Sequence, residues 1–127
     1  MTYELEYNGK VYGLSFGMGF VRDCNANYAI NVQGTTNKKN IGLSYMIGFI
    51  LGDDIETLAE VLYIASRNAK GAEHKLTREI IDDMLDDPET DIDGLFKQVL
   101  DFFANANCTT KTYRAAVEEY NKLNAKN

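Results

Sequence analysis

The sequence predicts an α+β fold, predominantly helical, in which an N-terminal β-hairpin packs against about five or six amphipathic helices. Three observations predict it: Asn8-Gly9 sits between two alternating segments, apolar residues recur at three- and four-residue spacing from Phe16 onward, and 127 residues hold a single proline, Pro88. Alternation is the period of a half-buried strand, and the longer spacing is that of one helix face. Scarce proline leaves the backbone free to keep helical hydrogen bonds. The length suits one domain over residues 1–127, divided into a hairpin at 2–16, a polar loop at about 28–40 and a helical remainder.

In Tyr3-Glu4-Leu5-Glu6-Tyr7 the apolar residues are odd-numbered and the acids even-numbered. Asn and Gly both tolerate positive φ, so Asn8-Gly9 suits a two-residue type I′ turn. That turn pairs Tyr7 with Lys10, Leu5 with Tyr12 and Tyr3 with Leu14, placing Tyr3, Leu5, Tyr12 and Leu14 on one face and Glu4 and Glu6 on the other. Phe16, Phe20, Val21 and Cys24 then fall at helical spacing towards Asn27, behind two glycines that weaken the start. From Asn31 to Asn40 the Asn, Gln, Gly, Thr and Lys residues have no apolar period and read as a loop, the expected most mobile stretch.

Ile41 to Leu51 places Leu43, Met46, Ile47 and Ile50 on one helical face with Tyr45 and Phe49 beside them, so this helix is apolar nearly all round and must be covered by its own chain or a partner. Gly52 suits its end, and Asp53 with Glu56 resembles a capping box. Ile55, Leu58, Ala59, Leu62 and Ala65 form the next stripe, ending near Asn68 to Gly71. Thr77 is the expected N-cap of a helix burying Ile80, Ile81, Met84 and Leu85, closed by Pro88. Asp91 caps a helix with Ile92, Leu95, Phe96, Val99, Leu100 and Phe103 on its face, and Thr110 to Asn124 carries Tyr113, Ala116, Val117, Tyr120 and Leu123 on the last.

Charge and cysteine content narrow the function. The net charge is −6, and residues 53–93 hold thirteen Asp/Glu against four Lys/Arg, whereas residues 108–127 hold four basic against two acidic. Such a balance argues against nucleic-acid binding, which needs clustered cations. Cys24 and Cys108 form neither a disulfide scaffold nor a C-x-x-C pair, so a reducing compartment is expected. The N-terminus lacks the basic and apolar regions of a signal peptide, and the apolar run Ile41 to Leu51 is far below the roughly 20 residues that cross a bilayer, so no membrane association is expected.

No catalytic, cofactor or metal site is predicted. Gly17-Met18-Gly19 lacks the third glycine of a dinucleotide fingerprint, since Arg22 stands there, and small residues turning from strand to helix explain it. Glu89-x-Asp91-x-Asp93-Gly94 resembles half a calcium loop, but the position that must supply a bidentate carboxylate is Leu100. His74, the one histidine, has no Cys or His at ligand spacing and is expected at the surface. Asp82, Asp83, Asp86 and Asp87 lie opposite Ile81, Met84 and Leu85, where solvated charge belongs.

Tyr7 to Arg22, with its sequence Tyr-Asn-Gly-Lys-Val-Tyr-Gly-Leu-Ser-Phe-Gly-Met-Gly-Phe-Val-Arg, resembles the start of the tail assembly chaperones of long-tailed bacteriophages and prophages of Gram-positive bacteria. Asp54 to Ala65 is similar to that family's central helix, and Ile92 to Leu100 to its acidic D-x-x-x-L-F helix. The similarity spans most of residues 3–120, while Asn25 to Asn40 matches nothing in it. The resemblance implies a non-enzymatic protein that binds the tape measure protein in the host cell cytoplasm, keeps it soluble, helps recruit major tail tube subunits and is absent from the mature virion. It also implies a longer, frameshifted form of the same protein as a partner.

A chaperone for a long helical client needs apolar surface bounded by solubilising charge. Tyr45, Met46, Phe49 and Ile50 are the residues expected to meet that client or another copy of the chain, as a homo-oligomer, because they sit on the helix that is apolar all round and include an adaptable methionine. Two other readings compete. The acids of residues 53–93 suit a DNA mimic that inhibits a host nucleic-acid enzyme, although they cluster at helix starts rather than at phosphate-like spacing. A structural head or tail component is the third, and predicts the protein in purified particles.

Overall fold

The computed structural model describes residues 3–27, 29–31 and 38–125, with backbone only at 29–31 and 38–40. Two strands, β1 (Tyr3–Tyr7) and β2 (Lys10–Leu14), precede α1 (Met18–Asn27), a short pair β3 (Ala29–Asn31) and β4 (Lys38–Asn40), and then α2 (Gly42–Leu51), α3 (Ile55–Arg67), α4 (Arg78–Asp86), α5 (Ile92–Asn105) and α6 (Thr110–Ala125). The fold is therefore α+β and predominantly helical, as the sequence predicts.

Asn8 at φ 52° and Gly9 at φ 74° take the two left-handed positions of the turn. Tyr7 pairs with Lys10, Leu5 with Tyr12 and Tyr3 with Leu14, the predicted register. Leu5, Tyr12 and Leu14 are buried, Tyr3 is half-buried, and Glu4 and Glu6 face out. Beyond β2 the Ser15 N–H donates to the Ala65 carbonyl at 3.0 Å, which ties the hairpin to the end of α3. Phe16 then stands at the centre of an aromatic group, with ring centroids 5.6 Å from Tyr3, 4.9 Å from Phe20, 5.4 Å from Phe102 and 5.6 Å from Phe103.

Gly19 has a neighbour that periodicity does not reveal. A Cβ there would overlap Asn68 Oδ1, so the glycine serves the approach of α1 to the C-terminal end of α3 as well as the turn from strand to helix. Asn68 holds that junction by donating from Nδ2 to Asp23 Oδ2 and to the Ile64 carbonyl, each at 2.9 Å. The expected polar loop at 28–40 lies partly outside the described residues. Its described ends pair as β3 and β4, with Ala29 opposite Asn40, a ladder that three-residue strands without apolar alternation do not announce.

The helix boundaries follow their caps. Thr77 Oγ1 accepts from the Ile80 N–H at 3.1 Å and Asp91 Oδ1 from the Gly94 N–H at 3.0 Å, as expected. The cap of α3 is Asp54 rather than the predicted Asp53: Asp54 is extended and accepts from the Thr57 N–H at 3.0 Å, while Asp53, at φ 61°, turns the chain out of α2 in the left-handed region. Ile55 is correspondingly 42% exposed, off the buried stripe where its spacing puts it. Leu58, Leu62, Ile81, Met84, Val99 and Phe103 meet the hairpin's inner face and α2 in a common core. α6 packs on α2 and α5 through its first half, with Tyr113 and Ala116 against the core, but its stripe runs into solvent, leaving Tyr120 37% and Leu123 58% exposed.

Candidate partner-binding surface

The position of α2 is set by its first residue. Gly42 is buried against α1, where a Cβ would overlap the Cys24 carbonyl and stand 2.7 Å from Asn25 Cα, so only glycine permits this approach. The next N–H, that of Leu43, donates to Asn25 Oδ1 at 3.0 Å. Leu43, Met46, Ile47 and Ile50 consequently face the core and are buried. Tyr45 and Phe49, one turn apart, face outward at 49% and 46% exposure, their ring centroids 6.3 Å apart in an edge-on arrangement. Together with Ser44 and Gly48 they line a shallow hollow of about 320 Å³.

Of the four residues expected to meet a partner, Tyr45 and Phe49 thus share an open face, while Met46 and Ile50, 1% and 0% exposed, lie beneath it in the core. A helix apolar all round presents no sequence signal for which side its own chain covers. Ser44 and Gly48 were not singled out in the sequence. Their four-residue spacing beside the Tyr45–Phe49 row is the signal that could have found them, because a row of small residues beside a row of large ones makes a step on a helix surface.

The groups with reactive chemistry have structural partners. Asp91 Oδ1 is engaged by its capping bond and α5 begins at Ile92, so the half calcium motif lies at a helix start. Asp87 accepts from the Tyr7 hydroxyl at 3.4 Å and from the Glu89 N–H at 2.9 Å. Partial burial, followed by the neighbouring Asp87 and Asp83 carboxylates, raises the Tyr7 hydroxyl above its ordinary pKa. His74 is half-buried, its ring 6.0 Å from that of Tyr12 and its Nε2 3.9 Å from Glu73. Arg78 pairs with Glu60 at 2.6 Å and lies 4.1 Å from the centre of the Tyr63 ring, and its hydrogen bond to Glu60 raises its pKa. The Cys24 thiol is fully buried, and burial, with Asp23 nearby, pushes it up to about 12, the opposite of an activated nucleophile. Among the described residues no group of three or more His, Cys, Asp or Glu side chains is placed to hold a metal, and no helix is long and apolar enough to cross a membrane.

The described residues thus combine a mostly helical fold with an exposed aromatic pair over a surface hollow on α2. The chain belongs to the phage tail assembly chaperone proteins, whose family model matches residues 4–117. Comparison with curated proteins and with solved structures gives no match.

Proposed function

We propose that the chain binds its phage's tape measure protein through the outward face of α2, keeps that client soluble and helps recruit major tail tube subunits. One observation carries this reading: Tyr45 and Phe49 remain about half exposed on a helix whose opposite face is locked into the core. Two aromatic rings over a hollow offer a large, rigid apolar contact to the apolar stripe of a helical client. Met46 and Ile50, buried on the other side of the helix, anchor α2 in the core and are withheld from the contact. The reading is of a non-enzymatic protein of a long-tailed phage or prophage of a Gram-positive host, acting in the host cell cytoplasm with a longer frameshifted form of itself and absent from the mature virion.

Co-expression tests it. Phe49→Asp places a carboxylate in the aromatic face at an exposed position, so the variant keeps its helical circular dichroism while the tape measure protein shifts from the soluble to the pelleted fraction. A variant that folds normally and still keeps the client soluble overturns the assignment of this face. Recovery of host nucleic-acid enzymes in place of tape measure protein in a pull-down would overturn the function itself.

A further inference from the structure

The β1 edge of the hairpin lies open beside an acidic groove. In a two-residue hairpin the pair closing the turn, here Tyr7 and Lys10, exchanges both backbone hydrogen bonds, and the alternation of an antiparallel ladder then turns the N–H and C=O of Glu6 and Glu4 away from β2. The Glu4 carbonyl accepts from Gln98 Nε2 at 3.3 Å, so this edge already takes a donor from the α5 side. The outward backbone groups of Glu6, two residues along, have no such partner among the described residues. Beside them runs a groove of about 500 Å³ between β1, the α4–α5 connection and the first turns of α5.

The lining gives the groove its chemistry. Leu5, Met84 and Leu95 supply apolar surface, and Glu6, Asp87, Glu89 and Asp91 supply four carboxylates with no Lys, Arg or His among the lining residues. Asp87 and Asp91 are engaged by neighbouring donors, whereas Glu6 and Glu89 are exposed and take part in no ion pair among the described residues. An open edge offers backbone hydrogen bonds to an extended chain but not to a helix, and two free carboxylates select for cations on that chain.

We infer that this groove receives an extended, Lys- or Arg-bearing segment of another protein as a third strand against β1. The site is separate from the α2 face, lying on different elements, and its occupant is recognised by backbone pairing and charge rather than by an aromatic contact.

The probe is an end-blocked Lys-Val-Lys-Val-Lys-Val peptide titrated into the ¹⁵N-labelled full chain at low salt. The Glu6 amide shifts and its exchange slows about tenfold. N-methylation of one alternate set of peptide nitrogens abolishes binding while methylation of the other set spares it, the signature of a strand edge. Glu6→Gln and Glu89→Gln, both at exposed positions, together weaken affinity about fivefold or more, whereas Glu118→Gln with Glu119→Gln on α6 leaves it unchanged. A Glu-Val peptide does not bind. Absence of any shift at millimolar peptide overturns the inference, as do shifts spread over the acidic surface and abolished equally by the α6 pair. A Glu6 shift that grows with protein concentration before peptide is added assigns the edge to a second copy of the chain and also overturns it.

Discussion

Alanine placed at two glycines of α2 has opposite effects, although both sit in one ten-residue helix. At Gly48 an added Cβ has no heavy atom within 4 Å, so the substitution changes only backbone freedom. Glycine inside a helix is less stable than alanine by about 0.5–1 kcal/mol, and Gly48→Ala returns that amount. In a chain of 127 residues this raises Tm by about 2–5 °C. At Gly42 the same methyl overlaps the Cys24 carbonyl and stands 2.7 Å from Asn25 Cα, against an ordinary contact of 3.4 Å or more. Backbone gives less readily than the end of a side chain, so α1 and α2 must separate, loosening the Leu43–Asn25 hydrogen bond and the buried layer of Leu43, Met46 and Ile47. Gly42→Ala therefore costs about 3 kcal/mol and lowers Tm by about 10 °C. Urea denaturation followed by circular dichroism measures both. The Gly48 methyl also enters the hollow beneath Tyr45 and Phe49, so client retention falls as stability rises. A lowered midpoint for Gly48→Ala, or shifts of the same sign at both sites, would refute the reasoning from local space.

Other substitutions probe the core. Ser66 is fully buried and its Oγ accepts from the buried Leu76 N–H at 2.7 Å, so Ser66→Ala strands that donor and lowers unfolding free energy by about 1–3 kcal/mol in urea titrations. The Tyr3 hydroxyl is buried with no hydrogen-bond partner among the described residues while its ring packs on Phe16 and Phe102, and Tyr3→Phe therefore holds stability constant or raises it by up to about 1 kcal/mol. A loss beyond that would reveal a partner for the hydroxyl. At pH 8 an aromatic disulfide reagent titrates half-buried Cys108 in the native chain and leaves Cys24 unmodified until denaturant is added. The folded Cys24 pKa is raised to about 12 from 9.0, so the unfolded chain loses this proton first. The stabilisation is full below pH 9 and is lost as pH rises towards 12, and the fall in urea midpoint over that window is smaller in Cys24→Ala.

Local chemistry made much of this fold legible. Asn8-Gly9 and the flanking alternation carry the whole register of the hairpin, because a two-residue turn admits one pairing. Thr77 and Asp91 announce their helices because a cap acts three residues away in the same chain. The cap of α3 moves from Asp53 to Asp54 because both are Asp and only the backbone decides which is extended. The neighbours that require glycine at Gly19 and Gly42 do not show in the sequence, since they lie in elements that pack from elsewhere. The same holds for the candidate surface: spacing identified α2 as the helix needing a cover, but the division into a buried Met46–Ile50 side and an open Tyr45–Phe49 side depends on where α1 and α6 settle.

The aromatic group around Phe16 also sets a timetable. Tyr3 lies 4.8 Å from Phe102 between ring centres, Phe16 lies 5.6 Å from Phe103, and Gln98 reaches the Glu4 carbonyl, so the earliest strand is completed by one of the last helices. Contacts spanning so much sequence close late, because the intervening chain must be ordered before they form. On the ribosome, the hairpin can form its turn as soon as it emerges, but its inner face waits for residues 95–103 before it is sealed. Until then a nascent chain presents Tyr3, Leu5, Tyr12, Leu14 and Phe16 to its surroundings, and a tail assembly chaperone passes through an interval in which its own apolar strand face is open to aggregation.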